Sequence, residues 1–247
     1  MGVLFLALGG LGLLARGSFL LRLTAIFRPD RVMQRVTDQQ VLIGRKLFLL
    51  ARLAGLREDV HRYTGELPQA CLIVSNHQSM ADIAIIPVVL PRCQVRFVAK
   101  SELKYGIPYV SLALRLGRHA VISRTSDYRA GRRIMVKLAD LAVTGVCPTV
   151  FPEGRRSRTG GVQEFQTGAF RIILERTPLP VLSVAVDGGY RIAGLRGLLA
   201  NIGRTCYRAK PLTLYPAPHG KKEILDLLAR IQKEIADQVG AWRRAGA

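Results

Sequence analysis

The chain has 247 residues, enough to bury one sizeable hydrophobic core. It is 49% hydrophobic with a mean hydropathy of +0.20, and Lys plus Arg outnumber Asp plus Glu by 37 to 17, a formal net charge of +20. A disordered chain would be charged but poor in apolar residues, so the composition excludes that class.

Apolar composition together with positive charge indicates a partner that has both hydrocarbon and anionic parts. An anionic lipid bilayer has this chemistry. Nucleic acid is the alternative, but proteins that bind it usually concentrate basic residues in a groove with interleaved aromatic residues. Here aromatic residues make up only 6% and basic residues occur in every segment. We therefore expect an anionic bilayer as partner and no nucleic acid.

The amino terminus is apolar and uncharged over residues 1–15, which is shorter than the roughly 20 residues that span a bilayer. Arg16, Arg22 and Arg28 follow, separated by apolar residues. A cleavable signal peptide would carry positive charge ahead of its apolar run, and this pattern is not clear here. The sequence favours a pair of helices lying in one leaflet, with the arginines reaching toward lipid phosphates. A buried packing helix and a single spanning helix are the alternatives.

A second helical stretch covers about residues 29–56, so we divide the chain into a membrane-associated helical region, residues 1–57, and a second domain, residues 58–247. In that domain short β-rich runs alternate with helical ones, and this alternation predicts an α/β fold with a mainly parallel central sheet flanked by helices. Sheets of this kind carry their chemistry at the carboxyl ends of the strands. An amphipathic helix over residues 221–242 is predicted to pack on the domain. The predicted strands are 71–75, 95–99, 119–123, 148–151 and 181–186, and the helices between them are 80–90, 109–117, 128–143 and 170–176.

The four cysteines, Cys71, Cys93, Cys147 and Cys206, are far apart and form no CxxC or Cys/His motif. Cys71 and Cys147 lie in apolar runs, where buried free thiols are expected. The spacing therefore supports neither a disulfide scaffold nor a metal site.

Residues 75–82, SNHQSMAD, place a histidine five positions before an aspartate. On one continuous helix these side chains would point about 140° apart. His77, however, is predicted in the loop after a strand, so its imidazole can fold back onto Asp82 in the first turn of the next helix, for which Ser79 is the expected N-cap. The pair can then be a base and its orienting carboxylate. Alternatively Ser79 and Asp82 form a capping box, and spacing alone slightly favours this second interpretation.

Residues 150–161, VFPEGRRSRTGG, follow a predicted strand and combine Glu153, Arg155, Arg156 and Arg158 with three glycines. Arginine forks and exposed backbone N–H groups suit a phosphate. A solvated basic loop is the alternative, although Phe-Pro-Glu-Gly at the end of a strand would be unusual for one.

These segments resemble, in order, the motifs of the glycerolipid acyltransferases, the family of the 1-acylglycerol-3-phosphate acyltransferases. NHQSMAD resembles the first motif, Asn-His-x4-Asp, and FPEGRRS the third, Phe-Pro-Glu-Gly-Thr-Arg-Ser. Between them HAVISR, ending at Arg124, resembles the second motif, and AKSELKYGIP, with Lys100, resembles the run before it. PLPVLSVAV resembles the apolar fourth motif. Two departures, Arg155 for threonine and Ser183 for a second proline, bear on substrate identity rather than on the chemistry.

The resemblance implies transfer of a fatty acyl group from a thioester to the hydroxyl of lysophosphatidic acid. The thioester is one of acyl carrier protein or of coenzyme A. We expect no cofactor and no metal. His77 is implied as general base and Asp82 as the group that fixes its tautomer and stabilises the imidazolium. Ser79 as nucleophile is the second choice. Backbone N–H groups near Ser79, or in the loop at Glu153 and Gly154, are the candidate oxyanion donors.

The acceptor phosphate is implied to bind Arg124 and Arg156, with Lys100, Arg155 and Arg158 as weaker candidates. Glu153 is expected to orient an arginine or to bind the glycerol hydroxyl. The alternatives are another acceptor, such as glycerol 3-phosphate or a lyso-aminolipid like lyso-ornithine lipid, and a non-catalytic lipid-binding protein. The expected location is the cell membrane, with the catalytic domain on the cytoplasmic side.

Overall fold

The structure, a computed structural model, describes residues 2–123 and 127–245; the predicted site residue Arg124 lies outside them. Two long helices begin the chain, α1 (Gly2–Phe27) and α2 (Val32–Leu53), and they pack against each other. Between them Arg28 leaves the helical region, with φ −142° and ψ 64°, and Pro29 opens a single 3-10 turn. Since proline lacks the backbone donor that would continue the helix, α1 ends here.

A seven-stranded sheet forms the centre of the molecule, in the order β1-β7-β6-β2-β5-β3-β4. Neighbouring strands run parallel except β6 and β7, which are antiparallel. Every residue of β2, β5 and β6 is buried, as expected for strands covered by helices on both faces. The predicted α/β fold with a mainly parallel sheet is confirmed. The strands are β1 (Arg57–Val60), β2 (Leu72–Ser75), β3 (Gln94–Lys100), β4 (Ala120–Ile122), β5 (Val146–Val150), β6 (Val181–Asp187) and β7 (Cys206–Tyr215).

Two strands and one helix were not predicted from the sequence. β1 is a polar four-residue strand at the sheet edge. β7 mixes basic and apolar residues and contains Pro211, which argues against a strand within a regular ladder. Its antiparallel pairing with β6 is interrupted by a register shift between Leu182 and Val184, which accommodates the irregular sequence. The remaining helices are α3 (Ala81–Val89), α4 (Val110–Leu116), α5 (Tyr128–Asp140), α6 (Thr167–Arg176), the unpredicted α7 (Gly194–Asn201) and α8 (Gly220–Ala245).

The hydrophobic core lies on both faces of the sheet. One face packs against α5, α6 and α8, and the other against α3 with α2 behind it. The predicted carboxy-terminal amphipathic helix is confirmed as α8, because its apolar stripe, including Ile231 and Ile235, is fully buried. A third, smaller cluster joins α1, α2 and α4 around Leu21 and Tyr109.

Among the described residues, one helix is long and apolar enough to cross a membrane, the 24-residue segment Leu4–Phe27 of α1. Only 17% of its most apolar window is buried, which does not fit the alternative of a buried packing helix. Large apolar side chains such as Leu4, Leu8 and Phe19 are instead mostly exposed. This exposure is consistent with membrane association, because so much apolar surface is unfavourable in water.

The fold brings together three cysteines that nothing in the sequence connects, Cys71, Cys93 and Cys147. Cys71 and Cys147 are buried as expected, Cys93 is buried as well, and the three sulfur atoms lie within 4.8 Å of one another. The sheet brings them together because Cys71, Cys147 and Cys93 stand at the amino-terminal ends of the neighbouring strands β2, β5 and β3.

Candidate active site

His77 and Asp82 form a hydrogen-bonded pair at the carboxyl end of β2. The strand ends at Ser75 and α3 begins at Ala81, so His77 lies in the connecting loop. Its Nδ1 lies 2.8 Å from Asp82 Oδ2. The carboxylate is fully buried, whereas the imidazole remains 14% exposed. When Nδ1–H donates to this carboxylate, the neutral imidazole keeps the lone pair of Nε2 free to accept a substrate proton.

The same carboxylate also organises the start of α3. Asp82 Oδ2 accepts the backbone N–H groups of Gln78 at 2.6 Å and Ser79 at 2.8 Å, and Ser79 Oγ accepts the N–H of Ala81 at 3.1 Å. The two interpretations of this segment are therefore not exclusive, since Asp82 satisfies helix-start donors and contacts His77 at once. The helix begins at Ala81, with Met80 rather than Ser79 at the N-cap position, so the predicted cap was wrong by one residue.

Tyr207 on β7 completes the surroundings of Asp82 and was missed by the sequence analysis. Its phenol donates to Asp82 Oδ1 at 2.6 Å, and the side chain is fully buried. Burial first, and then the neighbouring carboxylate, raise the pKa of Tyr207 well above its usual value, so the phenol stays a donor at neutral pH. Ser79 Oγ contacts the same oxygen at 3.3 Å. Every described partner of the carboxylate can thus donate a hydrogen bond to it.

The imidazole is held in position from its face by aromatic stacking. The ring of Phe151 lies 4.2 Å from the ring of His77 at an interplanar angle of 17°. Phe97 stacks in turn on Phe151, with ring centroids 5.9 Å apart. These rings leave His77 little freedom to rotate away from Asp82.

The loop that follows β5 wraps around the backbone of His77. Glu153 Oε1 accepts the His77 N–H at 2.9 Å, and the Ser157 N–H donates to the His77 carbonyl at 2.7 Å. Glu153 is buried, and this burial raises its pKa against the opposing effect of the two N–H donors, His77 and Gln163. The third motif therefore lies directly beside the first.

Among the described residues Glu153 is linked to an arginine through Gln163, and the expectation that Glu153 orients an arginine stays a prediction. Its Oε2 accepts from Gln163 Nε2 at 2.9 Å, and Gln163 Oε1 accepts from Arg155 Nε at 2.7 Å. Gln163, which the sequence analysis missed, is the link between the two charged groups. Gly154 has φ +65°, a conformation that favours glycine and lets the loop turn back over His77.

The other predicted site residues lie on the surface of this edge of the sheet. Lys100 ends β3 and is exposed, and Arg155, Arg156 and Arg158 are exposed on the loop after β5. Among the candidate oxyanion donors, the N–H groups of Gln78 and Ser79 donate to Asp82, and that of Gly154 donates to the Phe151 carbonyl at 3.0 Å.

A second layer of polar contacts ties this region to the carboxy-terminal part of the chain. The Gln78 side chain donates to the Gly160 carbonyl at 2.8 Å and to Asp187 Oδ1 at 3.0 Å. Asp187, buried at the end of β6, also pairs with Arg243 of α8 at 2.9 Å. Asn76 bonds both backbone groups of Val186 at 2.9 Å, which fixes the end of β6 against the loop.

These elements make a rigid edge at which a polarised imidazole stands beside a basic loop. The arrangement suits proton abstraction from a hydroxyl next to an anionic group. A family model described as acyltransferase matches residues 58–187, more than half of the chain, and the protein belongs to the acyltransferase family. Tyr207 and Arg243 lie beyond the matched segment.

The relatives are acyltransferases that act on lysolipids by name. Over 156 residues the chain is 33% identical to human 1-acyl-sn-glycerol-3-phosphate acyltransferase beta, covering 61% of this chain and 53% of that protein. It is 28% identical over 144 residues to the 1-acyl-sn-glycerol-3-phosphate acyltransferase of Pseudomonas aeruginosa, covering 58% and 54%. It is 33% identical over 129 residues to the lyso-ornithine lipid O-acyltransferase of Brucella abortus, covering 49% and 43%. The chain spans about half the length of the curated relatives it matches.

The fold is similar to that of a solved structure over nearly the whole chain. The crystal structure of the 1-acyl-sn-glycerophosphate acyltransferase of Thermotoga maritima superposes with a TM-score of 0.67 at 20% identity, covering 94% of this chain and 95% of that one. At this identity the likeness supports the fold, including the amino-terminal helices.

Proposed function

We propose that the protein transfers a fatty acyl group from an acyl thioester to the sn-2 hydroxyl of 1-acylglycerol 3-phosphate, giving phosphatidic acid. The observation that carries this proposal is the His77–Asp82 pair at 2.8 Å, held beside the basic loop at residues 153–158. The names of the relatives from human and Pseudomonas aeruginosa support the same reaction.

In this mechanism His77 Nε2 removes the proton of the acceptor hydroxyl as that oxygen attacks the thioester carbonyl carbon. Asp82 stabilises the resulting imidazolium through the Nδ1 hydrogen bond. The tetrahedral intermediate then collapses and breaks the carbon–sulfur bond, and the leaving thiolate takes the proton from the imidazolium. The products are an ester and a free thiol, and His77 returns to its neutral form. No covalent acyl-enzyme is required.

The arginines of the loop serve the acceptor phosphate. Arg156 is exposed next to Ser157, whose backbone N–H is bonded to His77, so its guanidinium is tethered close to the base. Arg155 is oriented through Gln163. Guanidinium groups bind phosphate oxygens in pairs of parallel hydrogen bonds, which would set the distance between phosphate and hydroxyl. We assign Arg124 and Arg156 to the phosphate, with Lys100, Arg155 and Arg158 as weaker contributors.

The amino-terminal helices bring this site to its lipid substrates. We propose that residues 1–57 associate with an anionic bilayer and that the domain of residues 58–247 works on the cytoplasmic side of the cell membrane. The exposed apolar side chains of α1 and the net charge of +20 support contact with acyl chains and anionic head groups together. The acyl donor is a thioester of acyl carrier protein or coenzyme A.

A lyso-aminolipid is the second candidate acceptor. The relative from Brucella abortus, a lyso-ornithine lipid O-acyltransferase by name, is 33% identical over its matched segment. That acceptor has no phosphate, so the loop arginines would contribute less to its binding.

The test is acyl transfer by the purified protein in detergent, with both donor types and with lysophosphatidic acid, glycerol 3-phosphate and a lyso-aminolipid as acceptors. We expect phosphatidic acid from the wild type and a loss of about 10²–10⁴-fold in kcat for His77→Ala. His61→Ala is the matched control, because His61 also pairs with an aspartate, at 2.8 Å, but is exposed. Full activity of His77→Ala would overturn the base assignment, and preference for the lyso-aminolipid would overturn the phosphate role of the arginines.

A further inference from the structure

The three clustered thiols lie at the opposite end of the sheet from His77. Cys71 immediately precedes β2 and Cys93 precedes β3, while Cys147 is the second residue of β5, which lies between these two strands. His77 follows the carboxyl end of β2, roughly 20 Å along the chain from Cys71. The cluster is therefore separate from the acyltransferase site.

The sulfur atoms are arranged as ligands around a common point. All three lie within 4.8 Å of one another, and the exposed fractions of Cys71, Cys93 and Cys147 are 0%, 5% and 1%. Metal–thiolate bonds are about 2.3 Å long, so an ion centred in the plane of three sulfurs separates them by about 4 Å. Side-chain adjustments of less than about one ångström would thus close the site.

We propose that Cys71, Cys93 and Cys147 form a binding site for a soft metal ion of the Cu(I) class, coordinated by three thiolates. Thiolates select soft ions, and among the described residues no fourth histidine, cysteine or carboxylate joins the group, whereas structural zinc sites have four ligands. On binding, the three thiols release their protons to solvent, no electron is transferred, and the metal keeps its oxidation state.

The test is an anaerobic titration of the full-length protein in detergent with Cu(I) held by a colorimetric chelator. We expect one Cu(I) bound per chain in the wild type, and at least 100-fold weaker binding in Cys71→Ala, Cys93→Ala and Cys147→Ala. Cys206→Ala is the matched control, since Cys206 is partly exposed and outside the cluster, and it should bind as the wild type does. A Zn(II) titration under the same conditions should give weaker binding.

Two further measurements keep the result interpretable. Circular dichroism and thermal unfolding without metal identify any alanine variant that fails to fold, and Cu(I) should raise the Tm of the wild type and of Cys206→Ala but not of a folded cluster variant. His77→Ala should bind Cu(I) normally, so failure of the acyl-transfer proposal would leave this one standing. Absence of a 1:1 complex, equal Zn(II) affinity or loss of binding in Cys206→Ala would overturn it.

Discussion

Replacement of Tyr207 by phenylalanine removes one hydroxyl from the most buried part of the site. The phenol donates to Asp82 Oδ1 at 2.6 Å, and without it the described hydrogen-bond partner left to that oxygen is Ser79 Oγ, at 3.3 Å. A hydrogen bond to a charged group contributes about 1.5–3 kcal/mol net. We therefore expect the free energy of unfolding of Tyr207→Phe to fall by about 2 kcal/mol.

Activity should fall as well, because Asp82 orients the imidazole of His77. If about 1.4 kcal/mol of this loss reaches the transition state, kcat falls about tenfold. KM for the acceptor should change little, since Tyr207 is buried behind the carboxylate.

The assay measures initial rates of thiol release and phosphatidic acid formation across pH, together with urea unfolding. Tyr215→Phe is the matched control, because Tyr215 lies at the other end of the same strand, β7. Its phenol also lies near a carboxylate, since burial and then Glu234 raise its pKa. A variant that loses stability but keeps the kcat of the wild type would show that Tyr207 is structural only. Unchanged stability and rate together would refute the hydrogen-bond argument.

Two further predictions concern stability. Burial lowers the pKa of His119 to about 3, so the folded protein keeps this group neutral. In the unfolded chain the pKa of a histidine is about 6.5, and the stability that His119 contributes is therefore complete above that pH and is lost as the pH falls below it. Between pH 7.5 and pH 5.5 the free energy of unfolding, measured in urea, should fall by about 1 kcal/mol more in the wild type than in His119→Asn. His61 is exposed, so His61→Asn should behave as the wild type. Equal losses in all three proteins would contradict this prediction. Gly44→Ala should destabilise the packing of α2 on α3 by about 2–3 kcal/mol, because a Cβ would lie 2.4 Å from the Ala84 carbonyl. Thermal unfolding measures this effect, and Gly12→Ala is the control, because a Cβ at Gly12 on α1 would meet open space. Gly12→Ala should be neutral or slightly stabilising. Equal effects of the two substitutions would argue against the close approach of α2 to α3 at Gly44.

The central strands and the first and third motifs were predictable because their signals are local. Continuous apolar runs produced β2, β5 and β6, and the position of His77 just after β2 followed from the end of one such run. β1 and β7 were missed because they are held by pairing with other strands rather than by their own composition. The cap at Ser79 was misplaced by one residue, an error typical of helix boundaries.

Local pattern thus predicted the α/β class and the site edge, whereas the spacing of His77 and Asp82 left two interpretations open, and the structure shows both at once. Long-range geometry specified the rest. Tyr207 reaches Asp82 across 125 positions of sequence, and three cysteines on separate strands meet in one cluster. These contacts depend on the order and register of strands, and strand order arises from the burial of the whole sheet between its helices, which no short stretch of sequence encodes.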